Sequence, residues 1–347
     1  MHAYVRQFED IGLAERPSVG GKGANLGELT RAGLPVPPGF VVSTRCFQAF
    51  IESLPVAGGL ATVERIGEDD LPALTRASAE IRALIEGAPI PAAIGDAIRT
   101  AHDLLCERED RPVAVRSSAT GEDGDATSFA GLQDTYLWVR GRDSVADHVR
   151  KCWSSLYNVE ALAYRRKLGL SEAGVAMAVV VQKMVDARAS GVMFTRSPTS
   201  GDRSVIVIEA SYGLGSCIVS GEVTPDKFIV NKVSGDIADR TISAKLAQHV
   251  PDPRGGVLVQ TVAEALQEVS ALSDAEVAAL AQTGKTIERH YGSPQDIEWA
   301  ISRDGDGLFL LQSRPETYWS RRDATPVAKP SANPLSHVFA VFGGNRS

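Results

Sequence analysis

The sequence predicts a mixed α/β fold, of the α+β kind, in about two domains. Three observations carry this. At 347 residues the chain is long enough for roughly two cores of ordinary size. Apolar residues recur at helical spacing through Leu71–Glu86 and Ile90–Cys106, so residues 46–110 read as helical. Strand patterns surround them: residues 111–190 alternate strands with helices, residues 191–235 are strand-rich, and residues 296–314 read as a hairpin. The sequence contains no internal repeat.

In chain order, the first segment of interest is Ser18–Gly27, SVGGKGANLG, which sets Lys22 among glycines before the first turns of a helix at Asn25–Ala32. A cation in a glycine loop beside a helix start favours anions. The pattern G-x-x-x-x-G-K-[ST] occurs nowhere, and Gly21, Gly23 and Gly27 are not spaced as G-x-G-x-x-G. Val113–Tyr136 is richer. A short strand, Val113–Val115, opens into a loop holding Arg116, Ser117, Ser118, Thr120, Ser128 and Gly121, Gly124 and Gly131. Glycine lets backbone N–H groups approach phosphate oxygens, hydroxyls add donors, and arginine adds a planar charged fork. The alternative is an ordinary surface loop in which Arg116 pairs with Glu122 or Asp123.

Arg142–Arg166 reads as a helix, Gly221–Val233 as a hairpin and Asp252–Gly256 as a turn-rich connector, which makes His249 a turn residue. Ser273–Tyr291 is an amphipathic helix, with Ser273 as N-cap and Glu276 three residues on. Around Arg303–Gly307, two alternating runs predict an antiparallel hairpin. With Asp304, Gly305 and Asp306 as its loop, Arg303 faces Gly307, Glu298 faces Gln312 and Asp296 faces Arg314. All four of these last side chains then share one face, while Ile297, Trp299, Ile301, Phe309 and Leu311 turn to a core. Paired oxygen-bearing side chains suit magnesium, which takes one or two protein groups and completes its shell with phosphates and water. A solvent-facing polar ladder with a cross-strand ion pair is the other reading.

Net charge of −7 and a pI near 5.5 argue against nucleic-acid or anionic-membrane partners. No apolar run reaches transmembrane length, and MHAYVRQFEDIG does not read as a signal peptide. Cys46, Cys106, Cys152 and Cys217 lack zinc or redox spacing and read as reduced thiols of a cytoplasmic protein.

Ten segments together resemble the N-terminal nucleotide-binding domain of the pyruvate-phosphate dikinase and phosphoenolpyruvate synthase family, which includes rifampicin phosphotransferase. They are GGKGANLGEL (Gly20–Leu29), GLPVPPGFVVS (Gly33–Ser43), VAVRSSATGED (Val113–Asp123), SFAGLQDTYL (Ser128–Leu137), VVVQKMV (Val179–Val185), SGVMFTRSP (Ser190–Pro198), IEASYGLG (Ile208–Gly215), GEVTPDKF (Gly221–Phe228), PQDIEWA (Pro294–Ala300) and LQSRP (Leu311–Pro315). The resemblance implies an ATP-grasp type fold, with two lobes clamping the nucleotide: residues 1–190, residues 191–319 with the metal-binding hairpin, and a tail at 320–347. It implies ATP and Mg2+ as cofactors. Lys22, Arg116 and Arg314 would act on the phosphates, and Ser128–Gly131 would close over them. Gln182–Val185 would form the strand edge beside adenine, read by backbone atoms of Lys183, Met184 and Val185. Glu209 would lie near ribose or phosphates, Glu298 and Gln312 would hold the metal, and Asp296 would support Arg314. Leu132 departs from members that carry a second glutamine there.

The family's ATP domain phosphorylates a histidine on a separate swivelling domain. None of the six histidines, at 2, 102, 148, 249, 290 and 337, lies in a Thr/Gly/Ser-rich loop of that kind. The favoured expectation is therefore a phosphotransferase component that cleaves Mg-ATP to AMP and phosphate and passes the β-phosphoryl group to a histidine-carrying partner, as in the divided phenylphosphate synthase. An excised domain of a full-length synthase or antibiotic phosphotransferase is the alternative, and a non-catalytic ATP-sensing regulator is another. The tail, Ser320–Ser347, is either a docking segment for a partner or an end folded back or disordered.

Overall fold

Residues 5–183 build one antiparallel sheet and residues 187–315 a second. A computed structural model of the chain describes residues 4–67, 70–120, 123, 124, 127, 128, 134–172, 174–305 and 307–323. The first part contains β1 (Val5–Gln7), β2 (Gly39–Val42), β3 (Val113–Ala119), the two-residue pair β4 (Asp123–Gly124) and β5 (Thr127–Ser128), β6 (Thr135–Val139) and β7 (Met177–Lys183). Its helices are α1 (Arg16–Arg31), α2 (Thr44–Glu52), α3 (Ala57–Arg65), α4 (Leu71–Gly87), α5 (Ala92–Leu105), α6 (Arg142–Ser155) and α7 (Val159–Lys167). Strand order is β1-β2-β7-β3-β6. Side chains alternate across the pleat, so each strand feeds two cores. Phe40, Val42, Val113, Val115, Val179 and Val181 pack with Phe47, Phe50, Ile81, Ile98 and Trp153 of the helical layer. Val41, Ala178 and Val180 pack on the other face with Val19, Ala24 and Leu26 of α1.

The predicted helical region 46–110 is realised as helices. In α5 the buried Ile94, Ala97, Ile98, Ala101 and Leu105 keep the i, i+3, i+4 spacing of one buried stripe. The single helix expected over Arg142–Arg166 is two. The first ends at Ser155, and Asn158 caps the second, its Oδ1 accepting from the Ala161 N–H at 2.7 Å.

The second part contains β8 (Ala187–Phe194), β9 (Val205–Tyr212), β10 (Asp226–Asn231), β11 (Ile237–Thr241), β12 (Ala247–Pro251), β13 (Val257–Thr261), β14 (Gln295–Ser302) and β15 (Leu308–Pro315). Its helices are α8 (Ser216–Val219), α9 (Glu264–Gln267), α10 (Asp274–Tyr291) and α11 (Tyr318–Asp323). Six strands run β11-β10-β9-β8-β14-β15, and β12 and β13 pair apart from them. α10 lays Val277, Leu280, Ala281 and Ile287 on a sheet face made by Met193, Ile208, Phe228, Ile297, Trp299 and Leu310. The predicted cap is present: Ser273 accepts from the Glu276 N–H, Glu276 accepts from the Ser273 N–H at 2.8 Å, and Gly292 ends the helix at φ 68°.

Two expectations change here. Gly221–Val233 is not itself a hairpin, because β10 pairs back to β9 and forward to β11. His249 lies on β12, opposite Val259, not in a turn; Asp252–Gly256 is the turn of a β12–β13 hairpin that the connector's composition did not reveal. The parts are tied by several contacts. The Leu310 N–H donates to the Pro35 carbonyl at 2.8 Å, His290 on α10 meets Glu28 on α1 at 2.9 Å, and Leu29 of α1 joins the α10 core.

Candidate functional site

The β14–β15 hairpin has the predicted pairs Glu298↔Gln312 and Asp296↔Arg314, but not the predicted turn. Closer to the turn the pairs are Trp299↔Leu310 and Ile301↔Leu308, and the Ser302 N–H donates to the Gly307 carbonyl. Arg303 therefore lies inside the loop instead of facing Gly307, and a bulge after Glu298 makes up the one-residue difference. The core face follows suit. Ile297, Trp299 and Ile301 are buried as expected, but Leu310 takes the place assigned to Phe309 and Leu311. Leu311 packs instead with Trp138, Ala187, Leu214 and Ala300, beside Met184 and Val185.

Register extends the site across the second sheet. Lys227 faces Glu209, Glu209 faces Val192, Val192 faces Glu298 and Glu298 faces Gln312. Residues directly opposite in antiparallel strands share a face, so these five form one row on the side away from α10. The next row on that side is Ile229, Val207, Phe194, Asp296 and Arg314. Gly191, one residue from Val192, leaves no room for a side chain: a Cβ there would stand 1.9 Å from the Glu209 carbonyl oxygen and 2.6 Å from Trp299. β8 and β9 are thereby held close beneath the row. Glu209 sits two strands from Glu298, roughly 10 Å away at the usual strand spacing.

The first sheet supplies Arg116 to this row. Arg116 is nine-tenths buried, at 9% exposure. Its Nη2 donates to Glu298 Oε2 and to Gln312 Oε1, both at 2.7 Å, and its Nη1 donates to the Leu311 carbonyl at 2.8 Å. A bulged residue is left out of the ladder, which leaves that carbonyl for Arg116. The arginine thus pairs with a glutamate 182 residues away. Glu122 lies outside the described residues, as does the Asp123 side chain. The loop itself is described only in the backbone of β4–β5, where Ser128 pairs with Asp123; Gly131 and the Ser128 side chain lie outside.

Lys22 sits in the first turn after a break in α1. Gly20 interrupts that helix at φ 70° and ψ 176°, and a Cβ there would lie 2.0 Å from the Ser118 carbonyl oxygen. Only glycine fits such an approach in a left-handed conformation. Ser118 fixes the break on both sides: its Oγ donates to the Val19 carbonyl at 2.8 Å and accepts the Gly23 N–H at 3.1 Å. Helix starts here at residue 16, earlier than the Asn25 read from sequence. Lys22 is felt by the buried Cys152 thiol, which burial pushes up and the lysine's charge pulls back.

The segment expected beside adenine is the end of a central strand, not a sheet edge, since β7 lies between β2 and β3. Gln182 is buried, with Nε2 donating to the Pro37 carbonyl at 3.3 Å. The Lys183 N–H donates to Pro38 and the Met184 N–H to Pro112. Those two donors are therefore engaged within the chain, and the Lys183 side chain meets Glu107 at 3.4 Å. Met184–Asp186 is the crossing from the first sheet to the second.

Arg314 Nε donates to Asp296 Oδ2 at 3.3 Å. Burial raises the Asp296 carboxyl above the usual range, and Arg314 offsets part of that. Two residues that lie within the quoted segments but were given no role fall beside the site. Lys227 is in the row, facing Glu209. Thr135 on β6 faces Arg116 and borders a cavity of about 670 Å³, lined also by Trp138, His148, Ser216 and His249. In it His249 bridges Ser216 at 2.7 Å and Glu222 at 3.0 Å. Strand register was the signal needed for Lys227 and Thr135, and a single sequence does not give it.

The donor set fits a divalent cation. A carboxylate oxygen and an amide oxygen already converge on one cationic nitrogen. Among the described residues no group of three or more His, Cys, Asp or Glu could hold a metal. The site is of the sort that lends one or two protein oxygens to magnesium.

Residues 16–333 match the family described as pyruvate phosphate dikinase, AMP/ATP-binding domain. The chain belongs to that family of nucleotide-binding domains. It is 45% identical over 323 residues to a probable phosphoenolpyruvate synthase of Methanothermobacter thermautotrophicus, covering 91% of this chain and 46% of that one. It is 46% identical over 316 residues to the probable phosphoenolpyruvate synthase of Archaeoglobus fulgidus, covering 90% and 41%. With rifampicin phosphotransferase of Streptomyces sp it shares 41% identity over 315 residues, covering 90% and 36%. The chain spans less than half the length of these relatives. Among the described residues, no helix is long and apolar enough to cross a membrane.

Proposed function

We propose that the chain binds Mg-ATP between its two sheets in the ATP-grasp manner and serves as the phosphoryl-donating part of a dikinase-type phosphotransferase. One observation carries this: Arg116 of the first sheet meets Glu298 and Gln312 of the second at 2.7 Å. A cation and an oxygen pair of the kinds suited to phosphate and metal thus come together in a member of a nucleotide-binding family. The lobes meet at the Met184–Asp186 crossing, a few residues before the boundary at 190 expected from sequence, because β8 belongs wholly to the second sheet; the tail is 320–347. Glu298 and Gln312 hold the magnesium, which neutralises charge on the phosphates. Lys22, Arg116 and Arg314 position the polyphosphate, and the loop Ser128–Gly131 covers it. Glu209 lies by the ribose or phosphates, and Gln182–Val185 flank adenine. Phosphoryl transfer asks for positioning and positive charge more than for covalent chemistry, and these residues supply both. With one water consumed to release the γ-phosphate, the β-phosphoryl group goes to a histidine on a carrier domain or subunit, leaving AMP and phosphate, and from there to a small-molecule acceptor. The four cysteines are buried and free, which suits a reducing compartment, and we place the chain in the cytoplasm.

The test incubates the purified chain with Mg2+ and β-labelled ATP, with and without extract of its own cells. Acid-labile label on a second polypeptide, with AMP formed and both lost in Glu298→Ala, supports a carrier on a partner. ATP bound with no AMP and no labelled protein, in an extract that supports the reaction otherwise, sinks the transfer reading. The relatives are more than twice as long as the stretch they share with this chain, which favours a second reading with the same chemistry. In it the carrier histidine belongs to the rest of one longer polypeptide, and the label appears on that polypeptide alone.

A further inference from the structure

We propose that Arg116 is the resident cation of the metal site. In the nucleotide-free protein its guanidinium holds Glu298 and Gln312 together, and it gives them up to the divalent ion only when phosphates arrive to receive it. This rests on the reading of Glu298 and Gln312 as metal ligands.

The geometry supports the exchange in three ways. First, both oxygens converge on one nitrogen, Nη2, at 2.7 Å. Magnesium in that place needs each oxygen drawn in only to about 2.1 Å, a shift of roughly half an ångström that two side chains on facing strands can make. Second, the guanidinium and a divalent ion cannot share the place, because both are cations competing for the same two oxygens; one must leave. Third, leaving does not take the two sheets apart. The Leu310–Pro35 and His290–Glu28 contacts and the Leu29 packing remain. The Glu298 carboxylate is one-third exposed, so an incoming ion reaches it from solvent.

The consequence is coupling. A metal ion alone must displace a buried arginine that then keeps only the Leu311 carbonyl, whereas a metal–polyphosphate complex offers Arg116 a bidentate acceptor as it vacates the carboxylate. Metal and nucleotide therefore bind as one unit, each strengthening the other.

The experiment measures Mn2+ binding to the full chain without nucleotide, from the electron paramagnetic resonance signal of free Mn2+. It uses the wild type, Arg116→Ala, Arg116→Gln and the double variant Arg116→Gln/Glu298→Ala. Arg116→Gln keeps most of the side-chain volume, and circular dichroism establishes that the variant used is folded. Both single variants should bind Mn2+ about tenfold or more tightly than the wild type, and the double variant should lose the gain. A folded Arg116→Gln that binds Mn2+ no better than the wild type overturns the proposal. A parallel titration with ATP present separates the two ideas. Loss of Mn2+–ATP binding in Glu298→Ala upholds the metal ligands whatever Arg116 does. If Glu298→Ala keeps that binding, the ligand reading falls and the exchange falls with it.

Discussion

Two arginine–glutamate pairs in this molecule are nearly equal in length, 2.7 and 2.8 Å, and differ in their surroundings. Arg165 and Glu172 lie seven residues apart within the first part, with side chains 1% and 2% exposed. Arg165 Nε reaches both carboxylate oxygens at 3.0 and 3.1 Å, and Nη2 reaches Oε2 and the Leu156 carbonyl, each at 2.8 Å. Arg116 and Glu298 join different sheets through one nitrogen that is shared with Gln312, and the glutamate is one-third exposed. The first pair is closed, since every route out leaves a charge in a dry interior. The second is open, since its carboxylate has water on one side and its arginine has other acceptors. A buried pair built for the fold and a pair available for function can thus be told apart by how many bonds each partner keeps when the other goes.

The largest effect that can break this comparison is on stability. Arg165→Ala should cost about 3–5 kcal/mol by stranding Glu172, read from the denaturant midpoint. Arg116→Ala should cost about 1–2 kcal/mol or less, because Glu298 stays partly hydrated. Equal losses would erase the distinction. Next comes chemistry. Glu298→Ala should slow AMP formation about a hundredfold or more, about 2.7 kcal/mol in the barrier, while its melting profile stays near that of the wild type. A large melting shift with ordinary turnover would make the site pair structural after all.

The smallest effect concerns Asp296 and Arg314, a pair between the two extremes. Burial raises the folded-state pKa of Asp296, so the folded protein holds that proton more tightly than the unfolded chain does. The stabilisation is full below the unfolded value of about 3.9 and is lost as pH rises through the folded value. Asp296→Asn carries no such proton. Comparing denaturation midpoints from about pH 3 to 7, the wild type should lose ground to the variant as pH rises. A gap that stays flat, or moves the other way, would mean that Arg314 outweighs burial there.

Much of this was legible because local periodicity reports local structure. The helices of 46–110, the Ser273 cap and the pairing of Glu298 with Gln312 were all within reach of neighbouring residues. The hairpin was read correctly at the site for an incomplete reason. The assumed loop was one residue too short and the bulge went unseen, and the two errors cancel at Glu298 and Gln312. The contact of Arg116 with Glu298 spans 182 residues, and composition of a loop does not say which distant carboxylate it meets. Lys227 and Thr135 became visible only through register across strands that are not adjacent in sequence. His249 was misplaced because PDPRGG marks a turn without saying that strands flank it.

The bulge at Leu311 has a consequence for how this strand can vary. In an unbroken strand residues 310, 312 and 314 would all point the same way. Leu310 could then join the helix-covered core only by dragging Gln312 and Arg314 in after it. One supernumerary residue reverses the parity of the strand, so that its first half serves the interior and its second half the face that Arg116 meets. What matters at position 311 is arithmetic before chemistry. Leu311→Ala should keep Mn2+–ATP binding, because Arg116 uses only the backbone carbonyl there, whereas deleting the residue should abolish it. The site thus depends on the number of residues in this strand more than on which side chain stands at 311.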